Sequence, residues 1–224
     1  METNINPIRP NKWQEALLLV IVLIPAIFFF VLKDKMPAEI PTHWGADGKP
    51  NDYSSPLAAL GLSLGVGIFV WLVTMLAPIL DPKKKTYQLG PDVYFKIRLT
   101  IMLFLSMVMS SSFLIGAGYH FSMSKLVIGG MMILFTILGN FMANLPPSYS
   151  FGIRLPWTLH SESNWRKTHR LAAKVWTLAG IAGLVLTFLL TEDALQYVVI
   201  SSLVIMIGVP VLMSIYWYKT SRED

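Results

Sequence analysis

The chain alternates six long apolar runs with shorter polar segments. Each run is close to the roughly 20 residues that an α-helix needs to cross the hydrocarbon core of a bilayer. The runs are Gln14–Leu32, Leu57–Leu80, Leu99–Gly118, Leu126–Ala143, Leu171–Leu190 and Leu195–Trp217. The pattern therefore predicts an all-α, polytopic membrane protein built as a bundle of six transmembrane helices.

The amino-acid composition also favours a membrane protein. Hydrophobic residues make up 54% of the 224 residues and charged residues 14%, and the mean hydropathy is +0.56, which is too apolar for a soluble domain. Because Arg9 and Lys12 precede the first run, a cleaved signal peptide is the alternative interpretation of Gln14–Leu32. The run is longer than the usual apolar part of a signal peptide, and no small-residue cleavage pattern follows, so we expect a retained span.

Orientation is predicted from the basic residues, because lysine and arginine in short loops stay on the cytoplasmic side. Most of them fall in the termini and in the second and fourth loops: Arg9, Lys12, Lys83, Lys84, Lys85, Lys96, Arg98, Arg154, Arg166, Lys167, Arg170, Lys174, Lys219 and Arg222. The outer loops hold Lys33, Lys35, Lys49 and Lys125. Both termini are therefore predicted to be cytoplasmic. Basic residues beside spans fit the lipid bilayer's anionic headgroups, so no direct nucleic-acid binding is expected.

Two connections are much longer than the others and carry most of the polar chemistry. Residues 33–56 form the first predicted outer loop, and residues 144–170 form a predicted cytoplasmic loop rich in aromatic residues and proline. Long loops of this kind are more often functional than filler. We therefore divide the chain into a two-span N-terminal domain, 1–80, and a four-span domain, 81–224.

The outer loop contains the stretch IPTHWGADGKPNDY, in which Asp47 and Gly48 form a strong turn signal. Two interpretations of its polar residues stay open. In the first, His43, Asp47 and Asp52 meet around a metal, although no second histidine stands at helical spacing. In the second, His43 hydrogen-bonds within the loop while Trp44 lies at the membrane interface. We favour the second and expect no metal and no cofactor.

In the cytoplasmic loop, Arg154 lies between Gly152 and Pro156 and is followed by Trp157 and Thr158. An arginine held between rigid turns can donate paired hydrogen bonds to a carboxylate or to backbone carbonyls. The alternative is a structural role in which Arg154 holds the loop under the bundle. For the tryptophans we favour a structural role, since tryptophan is common at membrane interfaces.

A helix is predicted to begin after Ser161, which is a suitable N-cap, and to run through Leu190. Helical spacing divides its side chains into two stripes. The stripe expected to pack is Trp165, His169, Ala172 and Trp176, and the stripe expected to face headgroups is Arg166, Arg170 and Lys174.

Small and hydroxyl residues recur within the spans and are expected to serve packing of the bundle. Gly61 and Gly65 stand at GxxxG spacing, which lets helix backbones approach closely. The third span carries serines that are expected to hydrogen-bond across helices: Ser106, Ser110, Ser111 and Ser112.

Signatures of membrane enzymes are missing from the sequence. It contains no HExxH, no GxSxG and no cysteine. Only Glu15 and Lys174 are charged within the predicted spans, and both lie near span ends, whereas ion-coupled transporters generally need an ionisable group near the membrane midplane. We therefore expect a protein that is not an enzyme, and we disfavour a transporter.

Together the two loops resemble a known family. IPTHWGADGKPNDY is similar to the outer-loop motif of a bacterial domain of unknown function, and GNFMANLPPSYSFGIRLPWTLHSESNWRKTHR is similar to the signature of the SdpI family. In the outer loop the resemblance implicates Pro41, His43, Trp44, Gly48 and Asp52. In the cytoplasmic loop it implicates Gly139, Asn140, Gly152, Arg154, Pro156, Trp157, Thr158, Trp165, Thr168, His169 and Arg170.

The resemblance also implies a function, since the SdpI family is named for a membrane immunity protein that protects a bacterium against its own killing-factor peptide. This chain would then be a multi-pass protein of the bacterial cell membrane that binds or neutralises a secreted peptide toxin. It would signal by holding a cytoplasmic repressor protein at the membrane. The alternatives are a small transporter or exporter and a membrane enzyme using His43, Asp52 or Arg154.

Overall fold

A computed structural model describes residues 11–45, 48–80, 91–149 and 151–220. It shows seven α-helices, of which six are long and apolar enough to cross a membrane, and one β-hairpin. In chain order the elements are α1 (Lys12–Leu32), β1 (Ile40–Trp44), β2 (Pro50–Ser54), α2 (Pro56–Leu80), α3 (Pro91–Gly116), α4 (Met123–Met142), α5 (Pro156–His160), α6 (Glu162–Leu189) and α7 (Leu195–Thr220). The six-helix, all-α class is confirmed, and the chain is a multi-pass membrane protein.

All six predicted spans correspond to long helices, but one boundary was wrong. Helix α3 begins at Pro91 rather than Leu99, so Lys96 and Arg98 belong to the helix and not to a loop. Ser161 caps α6 as expected, with its Oγ accepting a hydrogen bond from the Asn164 N–H at 3.2 Å. The hairpin and the short α5 were not predicted.

The helices run alternately between two ends of the bundle. The end that carries β1 and β2 is called the hairpin end. The opposite end, which carries α5 and the loop of residues 143–161, is called the motif end, and that loop is called the motif loop. Which end faces the cytoplasm stays a prediction.

Helices α4 and α6 form the most extensive contact between any two described elements. Two glycines permit this approach. A Cβ added at Gly180 would lie 2.9 Å from the Met132 carbonyl oxygen, and one at Gly139 would lie 2.7 Å from the Trp176 Cβ. Both distances are shorter than a real Cβ tolerates, so a larger residue at either position would separate the helices.

Two expectations about small residues were wrong. Gly61 and Gly65 are exposed, and a Cβ at either would meet nothing within 4 Å, so their GxxxG pattern packs no described helix. Ser110 and Ser111 donate to carbonyls of their own helix rather than across helices. A hydroxyl that reaches the carbonyl one turn earlier needs no partner on another helix, which is why spacing alone did not reveal this.

A proline inside α7 leaves one backbone carbonyl without its helical hydrogen bond, and a side chain of α6 donates to that carbonyl instead. Pro210 lacks an N–H, which leaves the carbonyl of Met206 without its helical partner. The indole Nε1–H of Trp176 donates to that carbonyl oxygen at 2.8 Å. In a membrane an unsatisfied carbonyl is costly, so this contact fixes α7 against α6.

Orientation can be tested with single cysteines because the native chain has none. Ser55 lies exposed at the hairpin end and Ser163 lies exposed at the motif end. If the positive-inside prediction is correct, Ser55→Cys reacts with a membrane-impermeant maleimide in intact cells, and Ser163→Cys reacts only after permeabilisation. The reverse pattern would invert the orientation.

Candidate functional site

The motif loop packs around a buried centre formed by Trp165 and His169 of α6. Both are fully buried on α6, and their rings stack with centroids 3.9 Å apart. The Ile153 N–H donates to His169 Nε2 at 2.9 Å, so Nε2 is an acceptor; Nδ1 lies 2.9 Å from the Trp165 carbonyl oxygen and therefore carries the proton. Both ring nitrogens of His169 are thus engaged in holding the loop.

Gly152 makes this arrangement possible. Its φ of +106° lies in a region that favours glycine, and a Cβ there would overlap His169 Nε2 and approach the Trp165 ring to 2.8 Å. The Trp165 indole Nε1–H in turn donates to the Leu145 carbonyl oxygen at 2.7 Å. The loop is therefore held against α6 near its start and at its middle.

Helix α5 begins at Pro156, where a missing N–H costs nothing because the first helical turn leaves its N–H groups without partners. Thr158 is fully buried. Its Oγ1 accepts from the Leu155 N–H at 2.9 Å and donates to the Ile153 carbonyl oxygen at 2.8 Å. Exposed Arg154 donates from Nη1 to the Tyr149 carbonyl oxygen. Arg154 therefore holds its own loop through one described hydrogen bond, to a backbone carbonyl.

The motif loop and α6 are attached to α7 through Ser214. The Trp157 Nε1–H donates to Ser214 Oγ at 3.0 Å, and Asn164 Nδ2 donates to the Ser214 carbonyl oxygen at 2.9 Å. Trp157 also stacks on Tyr218, and Thr168 donates to Asn164 Oδ1 at 3.0 Å. Sequence reasoning singled out both Trp157 and Thr168, but Ser214 carried no signal because serines are common in membrane helices.

Three predicted motif residues lie outside this network. Gly139 lies at the α4–α6 crossing, while Asn140 and Arg170 are exposed. The two predicted stripes of α6 are observed: Trp165, His169 and Ala172 are buried and Trp176 is partly buried, whereas Arg166, Arg170 and Lys174 are exposed.

A buried ion pair lies near the motif end and was missed from sequence. Arg98, which is 4% exposed, donates from two guanidinium nitrogens to the two carboxylate oxygens of Glu15, and its Nε donates to Thr74 Oγ1 at 3.2 Å. The Trp71 Nε1–H also donates to Glu15 at 2.9 Å. The sequence pattern places Arg98 in a loop, as one of the basic residues that predict orientation. It does not reveal the ion pair, because Glu15 lies on a different helix and is 83 residues away in the sequence.

Tyr94 connects this ion pair to the motif loop. Its hydroxyl donates to the Thr74 carbonyl oxygen, which Pro78 leaves without a helical partner. Its ring packs edge to face on Phe151 of the loop, with centroids 5.5 Å apart. The charged centre and the motif loop are therefore parts of one packed layer at the motif end.

At the hairpin end, β1 and β2 pair antiparallel with His43 opposite Asp52. Both residues form their described hydrogen bonds within the hairpin itself. His43 Nδ1 hydrogen-bonds Asn51 Oδ1, and Asp52 Oδ1 accepts from the Tyr53 N–H at 2.9 Å. Asp47 lies outside the described residues. Among those described, no three histidine, aspartate or glutamate side chains are close enough to hold a metal ion.

The hairpin is fixed to the bundle at both of its ends. Ile40 is fully buried against Gly116 and Phe113 of α3, and Pro41 beside it is buried. At the tip, Gly48 has a φ of +74°, and its α-carbon faces the side chains of Ser124 and Glu192, with no room for a Cβ. The hairpin therefore crosses the end of the bundle from α3 to the start of α4.

Beneath the hairpin lies a cavity of about 530 Å³. It is bordered by β1 above and by α3, α4 and α7 at the sides, and it is partly open. Its lining residues include Thr42, His43, Trp44, Ser112, Met123, Val127, Gln196 and Val199. Sequence reasoning named His43 and Trp44 as site residues but none of the helical ones, since a cavity depends on how far apart three helices lie. We call this space the hairpin cavity.

These features define the class: a six-helix membrane protein with a hairpin-covered cavity at one end and a hydrogen-bonded loop at the other. Residues 144–215 of the chain match the SdpI/YfhL protein family. Residues 20–74 match a domain of unknown function, DUF1648. The family resemblance predicted from the two motifs is thereby confirmed.

Comparison with curated proteins gives a relative that matches along almost the whole chain. It is the immunity protein SdpI of Bacillus subtilis (strain 168), which is 25% identical over 201 residues, or 90% of this chain and 94% of that protein. No solved structure matches the chain significantly.

Proposed function

We propose that this protein is a membrane immunity protein that binds a secreted antimicrobial peptide at its hairpin end. The relative from Bacillus subtilis, an immunity protein by name, supports the role. The observation that carries the binding site is the hairpin cavity. Its lining joins Thr42–Gly45 from the first matched region to four residues from the second, so both matched regions contribute to one site. The four are Leu195, Gln196, Val199 and Ile200.

In this proposal the hairpin end faces outward, where a secreted peptide arrives, in agreement with the predicted orientation. Pro41, Gly48 and the His43–Asp52 pair shape the hairpin, and His43 and Trp44 contact the ligand. The two-domain division is kept as a proposal, with residues 1–80 contributing the cover of the site and residues 81–224 contributing its walls.

The proposed activity is binding rather than catalysis. His169 uses both ring nitrogens in the scaffold, so it is not positioned as an acid or base toward a ligand. The buried Glu15–Arg98 pair is mutually neutralised and hydrogen-bonded, unlike the ionisable group that a proton-coupled transporter presents to its pathway.

At the motif end we propose a second contact, with a cytoplasmic repressor protein that is held at the membrane. The exposed stripe Arg166, Arg170 and Lys174 offers positive charge on a rigid helix, directly beside the buried loop centre. Electrostatic complementarity of this kind directs association. Asn140 and Arg154 are exposed at the same end and belong to this proposed surface.

The immunity role is tested by deleting the gene in its source bacterium and exposing the deletion strain to filtered culture fluid of the parent. We expect killing that protease treatment of the fluid abolishes, and rescue by the wild-type gene. His43→Ala and Asp52→Ala should lower rescue at normal membrane abundance. If culture fluid that kills an unrelated sensitive strain leaves the parent and the deletion strain with equal survival, the immunity role is refuted.

A further inference from the structure

The hairpin cavity is confined to the outermost part of the bundle. On α3, α4 and α7 the lining residues lie within about two helical turns, or ~10 Å, of the helix end that meets the hairpin. The space therefore lies at the end of the bundle that the hairpin covers. Its volume of about 530 Å³ falls within the range of roughly 300 to 1,000 Å³ typical of ligand sites.

The chemistry of the lining is apolar with a few uncharged polar groups. None of the residues that line the cavity is lysine, arginine, aspartate or glutamate. The polar ones come from four elements: Thr42 and His43 from β1, Ser112 from α3, Ser124 from α4 and Gln196 from α7. A charged ligand group would be dehydrated here without a counter-charge, so the lining selects an uncharged ligand.

We propose that the hairpin cavity binds an uncharged, apolar segment of a peptide, with large side chains filling the space and backbone amides facing His43 and Gln196. This inference rests on the proposed function and specifies the site and the ligand chemistry. A peptide fits better than a lipid acyl chain, because an acyl chain offers no hydrogen bond to the imidazole, hydroxyl and amide groups that it would cover.

A second cavity, of about 510 Å³, continues the site toward the surface. It shares Trp44 and Met123 with the first cavity and is lined in addition by Tyr119, His120 and Glu192. Trp44 therefore stands between an apolar compartment and a polar one. A bound peptide would place its apolar segment below Trp44 and its polar continuation above it.

The binding test uses the full chain in lipid nanodiscs and a photoreactive probe, N-acetyl-p-benzoylphenylalanyl-leucinamide. Irradiation should attach the probe to the cavity walls on α4 and α7, as mapped by mass spectrometry. Val199→Trp fills the cavity from α7 and should lower this labelling by about tenfold or more. The added indole takes the place of one apolar side chain of the probe, and losing the burial of one such side chain weakens binding by that factor. A probe with aspartate in place of leucine should label poorly.

Matched variants separate site loss from misfolding. Tyr197→Trp adds the same ring to α7 at a side chain that is 66% exposed and does not line the cavity, so its labelling should equal that of the wild type. Val127→Trp fills the cavity from α4 and should repeat the Val199→Trp result. Equal labelling of all variants would overturn the inference.

Two further outcomes have distinct meanings. If a benzophenone fatty acid labels the cavity and excess N-acetyl-leucyl-leucinamide does not displace it, the cavity is a lipid site and the inference fails. If the wild-type gene rescues the deletion strain but the dipeptide probe never labels the cavity, the immunity role stands and only this site is wrong. If the cavity binds the probe but the gene gives no rescue, the immunity role is what fails.

Discussion

Replacing Arg98 with leucine should strongly destabilise the protein. Arg98 is 4% exposed, and its guanidinium pairs with both carboxylate oxygens of Glu15. Its removal therefore leaves a largely buried carboxylate with only the Trp71 indole N–H as a described side-chain partner. Breaking a buried ion pair by removing one member costs about 3–5 kcal/mol. Thermal unfolding in detergent should report the loss as a lowered midpoint.

Two comparisons make this expectation specific. The double variant Glu15→Leu/Arg98→Leu should recover most of the stability, because a buried pair replaced by apolar residues is often neutral or better. Arg166→Leu breaks the exposed Glu162–Arg166 pair and should leave the midpoint nearly unchanged, because exposed pairs contribute little. An Arg98→Leu midpoint equal to that of Arg166→Leu would show that the buried pair does not support the fold.

Replacing Gly152 with alanine should open the motif loop. The substitution forces alanine to a φ of +106° and drives its Cβ into His169 and the Trp165 ring. Backbone strain and overpacking each cost roughly 1–3 kcal/mol. We expect faster proteolysis within residues 144–160, because the Ile153 N–H loses its bond to His169 as the loop moves away.

Gly118 provides the matched control for this prediction. Its φ of +92° is also positive, but a Cβ there would meet nothing within 4 Å. Gly118→Ala therefore carries backbone strain without the clash and should leave proteolysis of the motif loop at the wild-type rate. If both alanine variants behave alike, close packing against His169 is not what requires glycine at position 152.

The parts of the fold that sequence predicted well depend on local periodicity. Spans follow from apolar length, and the buried stripe of α6 follows from helical spacing after the Ser161 cap. The hairpin was described only as a turn-rich loop, because a five-residue strand with two buried positions gives a weak alternation signal. Motif residues such as Gly152 and Thr158 were identified, but their contacts were not.

What sequence did not reveal depends on pairing between distant segments. In the sequence, Arg98 cannot be distinguished from any other basic residue near a span. Only the packing of α1 against α3 brings Glu15 next to it as a partner. Gly61 and Gly65 have the spacing of a packing motif but face outward, since their side of α2 is not the side that contacts α1 or α3. The hairpin cavity depends on three helices and a strand together.

The central proposal is that the hairpin cavity binds a secreted peptide and thereby protects the cell. The most direct measurement is the survival of the deletion strain in a dilution series of parent culture fluid, with wild type, Val199→Trp or Tyr197→Trp expressed at equal membrane abundance. The proposal predicts that wild type and Tyr197→Trp protect equally, whereas cells with Val199→Trp die at the same dilution as cells with no gene. Full protection by Val199→Trp would contradict it.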